Sequence, residues 1–485
     1  MLRLARRGSH CRRHYRRHSR EASVTAVDRH LIWFRNDLRT HDHPALAAVS
    51  GAESLLCVAI LPPRLLGTTE HGFRRTGPFR ARFLIETLQE LDRELRARGN
   101  RLFVVRGQPS DVVPELCSRY DLTDIWYPDE PGTEEATEVS ELTDALHRLS
   151  ESTGRSVRMH AHVSSTLLHS DDLPFQLEQM PRVFTDFRKA VEHVWTVREM
   201  VNTPSGLPPP PGDPDRDNGV GPVTRDSVVG ESVSVVWGIP SVEALTRESA
   251  PEPDPRAAFV WRGGEGAAKR RLEKWIWEQD ALRRYKETRN GLLGAEYSSK
   301  LSAWLSVGSI SPRFVYEEVR RYERERVRNH STYWLIFELL WRDYFWFLAK
   351  KVGPRLFARS GPRRVTKPWR YDREAFDRWR TGNTGNDFID ANMREIAATG
   401  YMSNRGRQNV ASFLARDLQL DWRLGAEYFE SMLVDYDVAS NYGNWTYAVG
   451  VGTDPREDRW FNPDRQAERY DPDGSYRRTW LAELR

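Results

Sequence analysis

The chain has 485 residues and a mass of 56.3 kDa, and at roughly 150 residues per domain that length fits two or three domains, not one small binding module. Hydrophobic residues make up 39% and charged residues 29%, with 17 Trp, 17 Tyr and 19 Phe, so large cores can form and global disorder is excluded. Against 69 acidic residues stand 73 basic ones, a net +4 that permits nucleic-acid contact without requiring it.

The first twenty residues, MLRLARRGSHCRRHYRRHSR, hold eight Arg, three His, no acid and no apolar run of a secretory signal. A disordered tail or misassigned start, an organelle transit-type peptide and a nucleic-acid-binding arm all fit this composition, so 1–28 is set aside from the fold. From about His30 to His160 short apolar runs alternate with helical stretches. HLIWF, SLLCVAI, RLFVV, DIWY and SVRMH are four to seven residues long, as buried parallel strands should be. Between the second and third, residues 77–99 place Phe79, Phe83, Leu84, Leu88, Leu91 and Leu95 at helical spacing and end on Gly99. The pattern predicts a doubly wound parallel-sheet α/β domain over 29–165. RNDLRTHDHPAL follows the first strand in place of G-x-G-x-x-G, so a dinucleotide site of the Rossmann kind is not indicated there.

Over 166–236 the composition shifts to Pro208–Pro211 and GDPDRDNGVGPVTRD, which reads as a partly extended interdomain connector with a Pro-rich insertion. Beyond it, over 237–485, helical period dominates, including 268–287 and 312–328, and an all-α domain is expected. The run STYWLIFELLWRDYFWFLA approaches membrane-spanning length, but Glu338, Arg342 and Asp343 in its middle make bilayer burial costly. It reads as a buried core helix with a polar task, and no membrane association is expected. Cys11, Cys57 and Cys117 form no C-x-x-C and have no His at ligand spacing, so neither a disulfide framework nor a metal site is supported, and a reducing, cytoplasmic location is the expectation.

Several groups stand where chemistry is available. Asp435, Asp437 and Asn441 lie among apolar neighbours and need partners, whether as caps, buried ion pairs or ligands. YSSKLS offers hydroxyls and a Lys near a helix start, and NRGRQ offers Arg405 and Arg407 beside Asn404; a Ser pair also simply caps a helix. Glu338, Trp341, Arg342 and Phe345 share one helical face, which is either a site or a core helix with an i,i+4 ion pair. Trp369, Trp422 and Trp445 taken singly read as core tryptophans.

Taken in order, YKETRNGLLGAEYSSKLSAWLSVGSISPR, FELLWRDYF, TGYMSNRGRQNVASFLARDLQLDWRLGAEYFE and LVDYDVASNYGNWTYAVGVGTDPREDRWFNPDRQAERYDPDG resemble the photolyase/cryptochrome flavoprotein family. The likeness begins at LIWFRNDLRTHDHPAL, includes TLLHSDDLPFQLEQMPRVFTDFRKAVE and RGGEGAAKRRLEKW, and covers about Arg29 to Arg485 apart from the Pro-rich linker. The TGYMSNRGRQ, DDLPF…VFTDFRK and YKETRNG…YSSKLS blocks look like the cryptochrome DASH branch. The resemblance implies an N-terminal antenna domain, a long connector and a helical domain holding FAD. By similarity, Tyr285 and Ser298, Ser299, Lys300, Leu301 and Ser302 hold the FAD phosphates, and Arg342, Arg407, Asp435 and Asp437 line the flavin and ribityl region. Asn441 matches the position facing flavin N5, where an amide supports reduced flavin.

Trp445, Trp422 and Trp369 match the family's electron-transfer triad from flavin to surface. Glu338 and Asn404 match substrate hydrogen-bonding positions, Trp341 a stacking plate, and Arg289 a phosphate contact of the DNA groove. Gln408 and Tyr447 stand where conventional dimer photolyases carry Met and Trp. That makes a smaller, more polar wall, consistent with preference for single-stranded DNA. Glu130, after the fourth strand, matches the contact to a 5,10-methenyltetrahydrofolate antenna, though Pro131 and Gly132 follow it where the family has Val-Thr; a helix-entry turn accounts for the same residues. The implied activity is that of a deoxyribodipyrimidine photo-lyase: excited reduced FAD lends an electron to a flipped cyclobutane pyrimidine dimer, the ring splits, and the electron returns. The implied partners are single-stranded DNA carrying dimers, with looped duplex DNA or RNA beyond it, and a monomer is expected. The alternative is a blue-light signalling or nucleic-acid-binding cryptochrome flavoprotein with little repair activity, to which Glu338, Asn404 and Arg289 would be of no use.

Overall fold

The structure is a computed structural model that describes residues 28–212, 236–456 and 459–482. The basic run 1–27 and connector residues 213–235 lie outside the described residues.

All five predicted strands are present: β1 Arg29–Phe34, β2 Ser54–Leu61, β3 Leu102–Arg106, β4 Asp124–Pro128 and β5 Arg158–His162. They pair in parallel in the order β5-β4-β1-β2-β3, and a short β6, Val236–Trp237, adds antiparallel to β3 at the edge. Sequence reading did not find β6, because two residues carry no period. β1 shows why the strands read as solid apolar runs. Ile32 and Phe34 face one core while Leu31 and Trp33 face a second, so both faces of the sheet are covered. The second core is closed by Pro109–Tyr120 and Thr133–Thr153. The first is continuous with the helical part of the chain, and its sheet side includes the expected helix Pro78–Arg96.

The connector is more structured than its composition suggested. The helix Phe184–Val194 lies within it, and Phe184 and Phe187 are buried. Pro208 and Pro209 are pinned to the sheet side, their carbonyls accepting from the Asn100 amide at 2.7 Å and from Leu55 N at 2.9 Å. Polyproline backbone has no N–H of its own but keeps its acceptors, and here they are used.

The helical part is built from Pro312–Glu325, His330–Val352, Asp387–Thr399, Asn404–Ser412, Trp422–Met432 and Val438–Ala448, with shorter helices between and after them. The stretch 268–287, of helical period, is built from several pieces: Glu265–Glu273 passes into a π-turn at Lys274–Glu278, and Asp280 in the left-handed region (φ 50) ends it before the short helix Tyr285–Thr288. His330–Val352 is the expected core helix with a polar task. Asp343, 1% exposed, accepts from the backbone N–H groups of Leu167 and Leu168 at 3.0 and 2.8 Å, tying the helix to the chain just after β5. Among the described residues no helix is long and apolar enough to cross a membrane.

Candidate functional site

Three helices converge on one space because each starts on a defined cap and each approach is kept close. His330–Val352 begins with a capping box between Asn329 and Thr332, Asn404–Ser412 begins on the Ser403 hydroxyl, and Val438–Ala448 begins on Asp437, whose carboxylate accepts from Ser440 N at 2.7 Å. Gly443 lies against Phe345 and Gly425 against Trp445; a Cβ at either would come to 2.3 or 2.2 Å of the ring, so glycine sets the helix spacing.

Between them lies a cavity of about 470 Å³, adjoined by one of about 210 Å³ that shares Ser302, Arg407, Asp435 and Asp437 with it. Tyr285, Ser298, Ser299, Lys300, Leu301, Ser302, Arg342, Arg407, Asp435 and Asp437 all line the larger space, as do Arg289, Glu338, Trp341, Asn404, Gln408 and Tyr447. Asn441 and Trp445 line the smaller one. Residues spread over more than 160 positions are thereby brought to one place, and three of the predicted ones are not: Trp422, Trp369 and Glu130 lie elsewhere.

The charges in the cavity are organised in pairs. The Arg407 guanidinium meets both oxygens of Asp435 at 2.9 and 2.8 Å and also bonds the Met402 carbonyl at 2.9 Å. Arg342 bonds the carbonyls of Ser165 and Leu305 and faces Asp437 at 3.7 Å. This corrects the i,i+4 reading: Glu338 pairs with Arg289 at 3.1 Å, not with Arg342, and accepts from the Trp334 indole at 3.1 Å. Withdrawal from water raises the Glu338 carboxyl above its ordinary range, with Arg289 opposing the shift. The Tyr285 hydroxyl is likewise pushed up by burial. Lys300 departs from expectation in a different way. Its backbone is left-handed (φ 60), and its ammonium lies 3.7 Å from the Tyr297 ring and 4.4 Å from that of Tyr401, so the side chain is packed between aromatics and burial lowers it to about 7.

The proposed stacking plate, Trp341, is held from behind by Phe184 of the connector helix, with ring centroids 3.7 Å apart and planes 13° apart, and meets Tyr447 edge-on at 5.7 Å. Gln408 accepts from Arg405 at 2.9 Å. Asn441 donates to the Ala426 carbonyl at 3.1 Å, which fixes the amide's orientation beside the smaller cavity.

Trp445 is 2% exposed and packs edge-on against Phe429 at 5.2 Å and Trp379 at 6.4 Å. Trp422 is fully buried and donates to the Arg359 carbonyl at 3.0 Å, and Trp369 donates to the Ala415 carbonyl at 3.1 Å. The bridge between Arg370 and Leu420 sets the segments carrying Trp369 and Trp422 side by side. Trp369 is 7% exposed, so it is covered, whereas the triad reading put it at the surface.

Glu130 follows β4 as expected, 7% exposed, with one oxygen accepting from Asn36 at 3.0 Å and the other buried without a partner. Burial raises it to about 7, with Arg35 opposing. Its neighbour Asp129 lines a separate space of about 420 Å³.

Sequence reasoning missed Tyr401, which borders both main cavities; Arg456 and Arg459 at the larger one; and Trp379 against Trp445. The only signal was residue type. It also missed that Asp37, His43 and His162 sit together, fully or almost fully buried. His43 Nδ1 accepts from Leu46 N, so Nε2 carries the proton and faces Asp37 at 3.1 Å, and His162 hydrogen-bonds the same oxygen at 3.0 Å.

Comparison with known proteins agrees with this geometry. The model for the FAD binding domain of DNA photolyase matches residues 334–485, and the DNA photolyase model matches 30–210. The chain is 48% identical to cryptochrome DASH of Gloeobacter violaceus over 456 residues, covering 94% of this chain and 85% of that one. It is 46% identical to the chloroplastic/mitochondrial cryptochrome DASH of Solanum lycopersicum, covering 94% and 77%. The crystal structure of a Synechocystis cryptochrome superposes with a TM-score of 0.84 at 43% identity, covering 94% of this chain and 89% of that one. A class III photolyase from Agrobacterium tumefaciens superposes at 0.73 with 27% identity, covering 96% and 88%. With an FAD binding domain of the photolyase type built on this cavity, the chain belongs to the photolyase/cryptochrome family and is most like its cryptochrome DASH members.

Proposed function

We propose that this protein is a light-driven lyase that splits cyclobutane pyrimidine dimers, mainly in single-stranded DNA, with FAD as its cofactor. The observation that carries the reading is that one continuous space is lined both by the predicted flavin residues and by Glu338, Trp341, Asn404 and Arg289. A sensor that only reports flavin redox state has no use for the second set.

The residues present fit FAD. Ser298, Ser299 and Ser302 make no side-chain hydrogen bond to the protein among the described residues and face the cavity, so their hydroxyls remain available to phosphate oxygens. The Arg407–Asp435 pair and Arg342 would supply fixed charge to a bound flavin, and the Asn441 amide is oriented by Ala426. Bound FAD supplies light absorption and one-electron chemistry. The rest is done by the chain. Trp341, backed by Phe184, presents an aromatic plate for two joined neighbouring bases drawn out of the stack, and Tyr447 closes its edge. Asn404 and Glu338 offer hydrogen bonds to base edges, and Arg289 leaves Glu338 for a phosphate oxygen when DNA enters. Arg405, Arg456 and Arg459 continue a basic rim around the mouth. Trp445, Trp422 and Trp369, all three buried, carry electrons inward. Glu130 fits a folate antenna in one respect: its buried, unpartnered oxygen is free to accept from a pterin N–H.

The reading is tested anaerobically. Reduced protein is mixed in parallel with dimer-containing single-stranded and duplex DNA and illuminated with blue light, and recovery of base absorbance is followed. Recovery in light alone, fastest on the single strand, is expected; flavin photoreduction without recovery on either DNA would overturn it in favour of signalling.

A further inference from the structure

The loop 295–302 is held from behind by one guanidinium that does not line the cavity. Arg271, in the helix Glu265–Glu273, is 5% exposed. Its Nη2 donates to the carbonyls of Ala295 at 2.9 Å and Ser298 at 3.0 Å, its Nε donates to Ser299 at 2.9 Å, and its Nη1 reaches the Glu296 carboxylate at 3.1 Å. Trp275, in the π-turn that continues the same element, adds a bond from its indole to the Glu296 carbonyl at 3.2 Å.

A planar trans peptide sets each carbonyl opposite the N–H that follows it. With the Ser298 and Ser299 carbonyls turned toward Arg271, the N–H groups of Ser299 and Lys300 face the other way, on the side of the cavity that 298–302 line. Among the described residues neither N–H, nor that of Leu301, has a protein acceptor. Lys300 is left-handed (φ 60) and Leu301 right-handed (φ −82, ψ −6), a succession that turns consecutive N–H groups into one concavity suited to an anion. The Lys300 ammonium is stacked away between Tyr297 and Tyr401, so the backbone supplies the donors.

We propose that Arg271 is a positioning residue: from outside the cavity it holds the Ser299–Ser302 backbone as a diphosphate-binding nest for FAD. Arginine suits the task because its planar fork reaches several carbonyls at once, which a lysine ammonium does not. The proposal rests on the flavin reading above.

The full-length chain, stripped of flavin, is titrated with FAD, ADP and riboflavin. Arg271→Gln is expected to weaken FAD and ADP by about tenfold or more, the loss of charge-assisted hydrogen bonds that order the nest. Riboflavin, which has no phosphate, should change by less than about twofold on the same scale, and Arg271→Lys should fall between. Equal weakening of riboflavin and FAD would mean general collapse of the pocket and overturn the proposal, as would unchanged FAD and ADP affinity. If Arg271→Gln does not fold, Arg271→Lys decides by the same contrast between ADP and riboflavin. Wild-type protein that binds neither FAD nor ADP would instead refute the flavin reading, leaving a result distinguishable from failure of Arg271.

Discussion

At the residue scale, Glu338 shows how far a side chain's neighbours alter its sequence meaning. Its helical register suggested Arg342 as partner, but tertiary contact gives it Arg289 at 3.1 Å. Glu338→Ala therefore releases Arg289 and, on the proposed reading, also removes a base contact. Dimer-containing oligonucleotide should bind roughly ten- to a hundredfold more weakly, as expected for a lost hydrogen bond to a charged group, while FAD stays bound. Unchanged affinity by fluorescence anisotropy would take Glu338 out of the substrate site. Glu130 makes a separate prediction. Unfolded, it loses its proton near 4.5, and in the fold it keeps it to about 7, so between those values the folded state binds more protons and stability falls as pH rises. Glu130→Gln abolishes that slope. At pH 8 the variant should be more stable than its parent by on the order of 1–3 kcal/mol, and near pH 4 the difference should shrink. A melting shift equal at both pH values would show that Glu130 does not titrate in that window.

At the element scale, the proposed tryptophan relay is a matter of helix placement. Trp422 opens Trp422–Met432, Trp445 sits in Val438–Ala448, and Gly425 lets the two helices approach until a Cβ would lie 2.2 Å from the Trp445 ring. Gly425→Ala should force the indole aside, destabilise the fold by about 1–3 kcal/mol and slow photoreduction; thermal melting and flavin bleaching read the two effects. Trp422→Phe should slow photoreduction yet spare repair by chemically reduced protein, and undiminished photoreduction would place the electron path elsewhere. Strands were legible because buried parallel strands are short unbroken apolar runs. The break at Asp280 was not, since Lys274–Glu278 keeps a helical pattern while its hydrogen bonds change to the π form.

At the scale of the whole molecule, Arg289, Arg405, Arg456 and Arg459 line the same cavity as the aromatic rings of Trp341 and Tyr447. The logarithm of the affinity for single-stranded DNA should fall linearly with log salt, with a slope of about 0.7 per phosphate neutralised, and Arg459→Ala should lower that slope by about one such unit. An unchanged slope would remove Arg459 from the DNA path. The Phe184–Trp341 stack adds that the connector backs one wall of the cavity, which its composition gave no reason to expect.

From sequence alone come the parallel α/β unit, the helical unit, and the candidates for flavin and substrate residues that the cavities then gather, because period reports burial and the family's motifs are local strings. Tertiary structure alone decided which charges meet: Glu338 with Arg289, Arg342 with Asp437, and Arg271 with the carbonyls of a loop more than twenty residues away. Hydrogen bonds and ion pairs act only over contact distances, and one string of residues is compatible with many pairings until packing brings particular donors and acceptors within 3 Å or so.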